Sequence, residues 1–210
     1  MRKIILGLFV GILALAFLSA CNGEVEREAD VQMISGDYIQ FSEIDGLYAW
    51  ATYVVRAEIL SERVEVIDTQ LPLYNPYIPF TLNSIKILEV FSGNLSVGDI
   101  RDVWQMGGEY DGASAILYGG VSFSVGEELI LFLAADYTNP NWPLSLVNPS
   151  QAVYRSILNF AAFGEEDSQY FSITQAYYED VLDANIVLQS VNESNEITLT
   201  LGDLMRITGN

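Results

Sequence analysis

The sequence predicts a mostly β fold, an antiparallel sandwich or barrel, with a short N-terminal helix and one or two helical segments near the C-terminus. Residues 52–59 alternate between the two sides of a strand and are rich in β-branched and aromatic types. Short turns such as 92–94 (SGN) separate this stretch from further apolar runs. Strands do not alternate with long helices, so a parallel sheet covered by helices is not expected.

The first elements of the domain are a helix and a long strand. Ser42 and Asp45 have the spacing of a capping box, and the apolar residues after them predict a helix over 43–49. The alternating pattern of the following strand continues to Val66, either as one bent strand or as two.

A proline-rich segment then interrupts the strand pattern. Residues 69–80 hold three of the six prolines and are predicted to form a loop, because proline lacks the donor that a central strand needs. A long strand is expected at 80–91. Its apolar positions change parity near Ile87 and Leu88, which predicts a bulge.

The second half of the chain continues the strand pattern and ends in helix. Further strands are predicted at 99–106, 116–118, 129–134, 144–147, 152–157 and 196–199. A helix is expected within 172–187, and Thr200 is expected to cap a final helical turn that runs to Ile207.

The first twenty residues are predicted to be a signal peptide. Arg2 and Lys3 precede an apolar run over 4–18, which is shorter than the roughly 20 residues of a spanning helix. The motif Leu18-Ser19-Ala20-Cys21 resembles the lipobox of bacterial lipoproteins. This resemblance implies cleavage before Cys21, lipid on its thiol, and a lipid-anchored position on the extracytoplasmic side of a cell membrane. The alternative is an ordinary secretory signal that ends near a cysteine.

The mature chain is predicted to have two parts. Residues 21–40 carry several acids and little apolar periodicity, which predicts an acidic flexible tether, and 41–210 form the β-barrel domain with a C-terminal extension. Cys21 is the only cysteine, so no disulfide can form within the chain. The chain has 9 Lys and Arg against 28 Asp and Glu. This acidic charge excludes nucleic acid as a partner. It also means that the lipid, and not a basic patch, must hold the protein on the membrane.

Residues 52–134 resemble a widespread bacterial module with no assigned activity. The resemblance rests on the stretches VVRAEI (54–59), SIKILEVFSGNLSVGDI (84–100), VWQMGGEYDG (103–112) and FSVGEELILFL (123–133). Their order is similar to the OB-fold barrel of netrin-like and tissue-inhibitor-of-metalloproteinase domains, which implies a small Greek-key barrel. Those inhibitors act through a free N-terminal cysteine amine held by disulfides. Cys21 is expected to be acylated and has no partner cysteine, so the resemblance implies no such activity here.

The residue types present exclude several kinds of catalysis. The chain has no histidine, which excludes Ser-His-Asp hydrolysis and histidine-bound zinc, and the single cysteine excludes thiol chemistry. Four acids flank the predicted Gly107-Gly108 turn: Asp99, Asp102, Glu109 and Asp111. They could act as an acid and base pair on a glycan or bind calcium. Their spacing matches no EF-hand loop, so we expect solvated turn residues and no metal site.

The proline-rich loop is the strongest candidate for a binding surface. Its apolar side chains, with a tryptophan from a later proline-flanked position, are Leu71, Tyr74, Tyr77, Ile78, Phe80 and Trp142. A backbone fixed by proline could present them to a protein or polymer with little loss of entropy. The alternative, which we favour, is that they close one end of the barrel. Trp50 and Trp104 are predicted to belong to the core.

Taken together, these patterns predict a membrane-tethered binding module without enzymatic activity or cofactor. Its expected partners are the membrane, through the lipid on Cys21, and a protein or cell-wall polymer. Two alternatives remain open at this point. One is a carboxylate-dependent enzyme or accessory subunit acting on a cell-wall glycan, and the other is a calcium-responsive envelope protein.

Overall fold

The computed structural model describes residues 30–68, 77–139, 142–156 and 183–209. From Val31 onward these residues belong to one structural unit. The strands are β1 (Asp30–Ile34), β2 (Tyr53–Asp68), β3 (Tyr77–Ser92), β4 (Ile100–Met106), β5 (Gly108–Tyr110), β6 (Ala113–Leu117), β7 (Glu128–Ala134), β8 (Leu144–Leu146), β9 (Val153–Arg155), β10 (Val187–Leu188) and β11 (Leu199–Thr200). The described helices are α1 (Ile44–Trp50) and α2 (Leu201–Thr208). The described part of the chain is mostly β, as the alternating pattern predicts.

Within the described residues, the main sheet has six strands in the order β2, β3, β4, β8, β7, β9, and β2 also pairs with β7. Neighbouring strands run antiparallel except β4 and β8, which run parallel. The prediction of an antiparallel arrangement is therefore wrong at this pair. The chain forms β5, β6 and β7 before it reaches β8, and this long connection lets it return in the direction of β4.

β2 is one continuous strand that pairs with β3 along most of its length. Ala57 pairs with Ile87. Its neighbour Arg56 pairs with Glu89, so Leu88 is an extra residue on β3. The bulge predicted near Ile87 and Leu88 is confirmed, and it lets the long strand bend.

The loop predicted over 69–80 is wrong at its C-terminal end, because β3 already begins at Tyr77. Pro79 lies within this strand although it has no N–H to give to the ladder. The Gly107 N–H donates to the Pro79 carbonyl at 2.8 Å. In a regular ladder the N–H of residue 79 would donate to the Gly107 carbonyl. This carbonyl accepts instead from the Thr81 hydroxyl, at 2.9 Å. Thr81 therefore supplies the donor that proline lacks.

β7 forms the centre of the apolar core. Residues 129–133 are all fully buried, as expected of the central strand predicted at 129–134. Phe132 packs against Tyr154 of β9, with ring centroids 6.0 Å apart and an interplanar angle of 65°. Burial raises the pKa of the Tyr154 hydroxyl to about 12, although a hydrogen bond from Asn195 opposes the rise.

A buried ion pair ties β2 to both of its neighbours. Arg56 of β2 and Glu89 of β3 are almost fully buried, and the Arg56 Nε lies 3.3 Å from the Glu89 carboxylate. A second arm of Arg56 lies 2.8 Å from Glu128, the first residue of β7. A charge removed from water is costly unless a partner compensates it. The two carboxylates therefore oppose any sliding of β2 against β3 or β7.

α1 corresponds to the helix predicted over 43–49, but the predicted capping box is wrong. Glu43 occupies the N-cap position, and no side chain caps the helix there. The carboxylate of Asp45 binds the Arg206 guanidinium of α2 instead, at 2.5 Å. The Asp45 side chain thus makes a tertiary ion pair and no local cap hydrogen bond.

The prediction that Trp50 belongs to the core is wrong, because this side chain is 60% exposed. α1 buries Ile44 and Leu47, and Trp50 is the last residue of the helix, beyond that buried face. Trp104 is half-buried on β4.

α2 is capped as the sequence predicts. The Thr200 hydroxyl oxygen accepts from the Asp203 N–H at 3.1 Å, and the Thr200 N–H donates to the Asp203 carboxylate at 3.1 Å. Partial burial raises the pKa of Asp203, but the hydrogen bonds from Thr200 and Arg206 outweigh this and hold it below the ordinary value. The helix predicted within 172–187 lies mostly outside the described residues, and Val187 itself is in β10. Neither described helix has the length and apolar character that crossing a bilayer requires.

The other predicted strands agree with the structure to within a few residues. Those expected at 99–106, 144–147 and 152–157 correspond to β4, β8 and β9. The strand expected at 116–118 is β6, and the one expected at 196–199 is present only as β11. The sequence does not predict β5, since two glycines at 107–108 indicate a turn, whereas Gly108 begins a short strand.

A second sheet contains β1, β6 and β5 in that order. β1 lies within the stretch 21–40 that is predicted to be a tether. Two amide side chains hold the chain after it. The Phe41 N–H donates to the Gln151 side chain at 3.0 Å, which in turn donates to the Phe41 carbonyl at 3.0 Å. The Asn148 amide donates to the Ile39 carbonyl at 2.9 Å. The second half of that stretch therefore lies on the domain.

The N-cap of α2 yields a test of this part of the fold. We expect Thr200→Ala to lower the free energy of unfolding by about 1 kcal/mol, because the cap hydrogen bond is lost. Thr200→Ser keeps the hydroxyl and serves as the matched control, with most of the stability retained. Urea denaturation measures both variants. An equal loss in the two variants contradicts the role of the cap.

Candidate ligand-binding groove

Three aromatic side chains form a row from the interior of the main sheet to its surface. Phe80 of β3 stacks on Trp104 of β4, with ring centroids 4.7 Å apart at an angle of 27°. Trp104 meets Trp142 edge to face, at 5.9 Å and 82°. The pairing of Leu82 with Trp104 places Phe80 diagonally across the two strands, where large side chains reach each other. The row ends on the surface, since Phe80 is buried and Trp142 is 47% exposed.

A groove of about 890 Å³ opens beside Trp142. It is lined by the start of β2, the turn after β3, the start of β4 and the segment between β7 and β8. Its polar and aromatic walls include Tyr53, Asn94, Arg101, Asp102, Asp136, Tyr137, Asn139 and Trp142. Residues distant in sequence thus meet in one concave surface, the shape at which ligands usually bind.

Hydrogen bonds hold the segment after β7 against the start of β2. The Ala135 N–H donates to the Thr52 hydroxyl at 3.1 Å, and this hydroxyl lies 3.4 Å from that of Tyr137. Asp136 accepts from the hydroxyl of Thr138 at 2.6 Å and from its N–H at 2.7 Å. These two bonds hold the pKa of the exposed Asp136 carboxyl below its ordinary value. These bonds restrain the backbone of the groove wall, which lowers the entropy that binding would cost.

Charges of both signs occur around the groove. Asp102 lies 2.6 Å from Arg63, a residue of β2. Arg101 lies 3.1 Å from Asp99 and also donates to the Ile100 carbonyl at 2.9 Å. These pairs and Asp136 place charged groups next to the aromatic side chains of the groove, and Thr52, Asn94 and Asn139 add a hydroxyl and two amides.

The structure does not gather the four acids singled out from the sequence. Asp99 and Asp102 each pair with an arginine, as described above. Glu109 is exposed on β5, and Asp111 occupies the turn after it with a φ of 51°. In the part of the chain that the structure describes, no three acidic or sulfur-bearing side chains could together hold a metal ion.

The six residues of the predicted binding surface divide into separate environments. They are Leu71, Tyr74, Tyr77, Ile78, Phe80 and Trp142. Leu71 and Tyr74 lie outside the described residues, as does Cys21. The backbone of Tyr77 and Ile78 begins β3. Phe80 is buried beneath Trp104, which favours the structural alternative for this residue. Trp142 is exposed in the groove, which is the position that the binding alternative requires.

Most polar and aromatic residues of the groove are not singled out by any sequence pattern: Tyr53, Asn94, Arg101, Asp136, Tyr137 and Asn139. Tyr53 and Arg101 lie in ordinary strand patterns, and nothing local distinguishes them. Tyr137 stands in a polar turn, 136–139 (DYTN), directly after an apolar strand. An aromatic side chain in such a turn, which is almost fully exposed here, is the signal that could have found it.

No family model matches this chain, and no curated protein matches it. The chemistry of the groove and the sequence of the N-terminus are therefore the basis for the functional conclusion. They define a concave aromatic surface with polar partners on a mostly β domain.

The aromatic row yields a test of the structural role of Phe80. We expect Phe80→Ala to lower the free energy of unfolding by about 3–5 kcal/mol, because a buried ring is lost beneath Trp104. Phe80→Leu retains most of the apolar volume and should cost clearly less. Urea denaturation measures both. Unchanged stability of the alanine variant contradicts the packing of Phe80 in the core.

Proposed function

We propose that this chain is a lipid-anchored extracytoplasmic protein whose β domain binds a neutral cell-wall glycan in the groove beside Trp142. The observation that carries the proposal is the pair of exposed aromatic side chains, Trp142 and Tyr137, in a groove with polar walls. The domain acts as a binding module and carries out no reaction in this account.

The groove has the chemistry that a sugar chain requires. The two faces of a sugar ring carry C–H groups that pack on flat aromatic side chains, and its edge carries hydroxyls. Trp142, Tyr137 and Tyr53 supply aromatic faces, while Asn94 and Asn139 supply donors and acceptors for hydroxyl groups. This mixture of aromatic surface and a few fixed polar groups is typical of small-molecule and saccharide sites.

The charge of the chain disfavours an anionic ligand. The groove carries Asp102 and Asp136 against Arg101, and the whole chain has a formal net charge of −19. An anionic polymer would be repelled on approach. A polysaccharide without phosphate or carboxylate groups meets no such barrier.

The geometry supports binding over glycan cleavage. A general acid in a glycosidase needs a raised pKa, so that it still holds its proton at working pH. The pKa of Asp136 is lowered by its bonds to Thr138, and Asp102 is tied to Arg63. Asp136 is therefore stabilised in the ionised form, and the Asp102 carboxylate is occupied by its ion pair with Arg63. A calcium-responsive role finds no ligand cluster among the described side chains.

The proposal also includes an OB-like barrel, for which the strand pairings are the support. β2 pairs with both β3 and β7, and β4 pairs with β8, which is the order in which an OB barrel connects its five strands. OB barrels bind oligosaccharides or oligonucleotides on the second and third strands and the loop between the fourth and fifth. In this chain β4 and the segment between β7 and β8 take those positions and line the groove.

The lipid anchor is supported by the lipobox and by the composition around it. We expect Cys21→Ser to abolish fatty-acid labelling and to release the protein from the envelope fraction. Two acyl chains on Cys21 would hold the protein stably on the membrane, and the serine variant carries none. Metabolic labelling and fractionation measure the two effects. Ser19→Ala keeps a small residue in the motif and should retain the label. A Cys21→Ser protein that stays firmly on the envelope contradicts the anchor.

Glycan binding is tested with two exposed tryptophans. We expect Trp142→Ala to weaken binding of a soluble N-acetylglucosamine oligomer about tenfold or more, as for a central aromatic contact. Trp50→Ala is the matched control, since Trp50 is 60% exposed and does not line the groove. Calorimetric titration of the Cys21→Ser chain measures both. Equal affinity of the two variants, or tighter binding of a proline-rich peptide than of the oligomer, overturns the glycan assignment.

A further inference from the structure

The small sheet of β1, β6 and β5 exposes an apolar face. Ala115 and Leu117 of β6 are buried, whereas Ile116 between them is exposed, so β6 presents alternate residues to solvent. Val31 and Met33 of the neighbouring β1 are also exposed. They lie two residues apart on a strand and therefore share a side, and Gln32 between them is exposed on the other side. An exposed cluster of this kind marks a contact site.

We infer that this face, formed by Val31, Met33, Ile116 and Tyr118, rests on the interfacial region of the bilayer that holds the lipid anchor. The inference depends on the proposed anchor at Cys21 and adds an orientation to it. Val31 follows Cys21 by ten residues, and a chain of this length spans about 35 Å at most. β1, which contains Val31, is therefore the first described element that follows the anchored residue along the chain.

The chain between β1 and α1 fixes this sheet to the domain. The Gln151 side chain binds both backbone groups of Phe41, and the Asn148 side chain binds the Ile39 carbonyl. The Tyr118 N–H donates to the Ile34 carbonyl at 2.8 Å, just beyond the paired strands. Contact of the apolar face with lipid thus orients the whole domain.

The groove lies at the other end of β4 from this sheet. Ile100 and Asp102 at the start of β4 line the groove, whereas β5 and β6 follow its last residue, Met106. The strand extends about 20 Å from Ile100 to Met106, and Trp104, on which Trp142 packs, lies between these two ends. A domain that rests on β1 and β6 would hold the groove away from the lipid, where a cell-wall polymer can reach it.

Lipid fits this face better than a second copy of the chain. Four side chains offer much less than the roughly 1,000 Å² that a stable protein interface buries. Two chains of net charge −19 also repel each other. A weak contact with lipid is sufficient, because the anchor keeps the face at a high effective concentration near the bilayer. Glu109 lies opposite Ser114 at the far edge of this sheet, which favours neutral over anionic headgroups.

The experiment uses a thiol-reactive fluorophore on the full lipidated chain in phosphatidylcholine vesicles. Cys21 is the only natural cysteine and carries the lipid, so Val31→Cys provides a single site for labelling. Val187→Cys is the matched control, because both valines lie in strands and are similarly exposed, 53% for Val31 and 59% for Val187. Ile116→Cys repeats the test if the change in β1 disturbs that strand.

We expect a blue shift of the label at residue 31 and its quenching by spin-labelled lipid, with neither effect at residue 187. Equal, unquenched emission at both positions on vesicle-bound protein overturns the inference and leaves the anchor intact. A protein that does not float with the vesicles overturns the anchor and the inference together. The label at residue 31 could also be shielded in the absence of vesicles, on a protein whose mass is doubled. That result shows that a second copy covers the face, and it also overturns the inference.

Discussion

β2 has a hydrogen-bonded neighbour on each edge at its N-terminal end, β3 on one side and β7 on the other. This double pairing fixes where β7 ends, and Thr52, just before β2, then holds the first residue after β7 through its hydroxyl. The buried Arg56, bound to carboxylates of both neighbours, opposes a shift in register. The wall of the groove that contains Tyr137 is thus set by the pairing of strands that are far apart in sequence.

Local patterns predict local features of this fold. The alternation in β2, the apolar run of β7, the bulge at Leu88 and the cap of α2 each have a signal within a few residues, and the structure contains all four. The sequence misleads where the deciding contact comes from a distant part of the chain. Pro79 stays in a strand through pairing with Gly107, whose carbonyl accepts from the Thr81 hydroxyl. Asp45 of α1 pairs with Arg206 of α2 and makes no cap.

The candidate site is less predictable than the fold, because it is assembled from four segments. Trp142 has a sequence signal in its flanking prolines, whereas Tyr53 and Arg101 have none and enter the groove through strand pairing. The four acids illustrate the opposite error, since closeness in sequence does not bring them together in space. Residues near one turn can share a function only if the backbone directs their side chains to the same place, and this is not so for the four acids.

The central claim is that the groove, and not another surface, receives a neutral glycan. An NMR titration of the Cys21→Ser chain with an N-acetylglucosamine oligomer tests it most directly, because every amide and the three tryptophan indoles report separately. The account predicts saturable shifts confined to the Trp142 indole and to amides of the groove segments, with the Trp50 indole unmoved. Shifts centred on another surface, or no shifts at millimolar oligomer, contradict it.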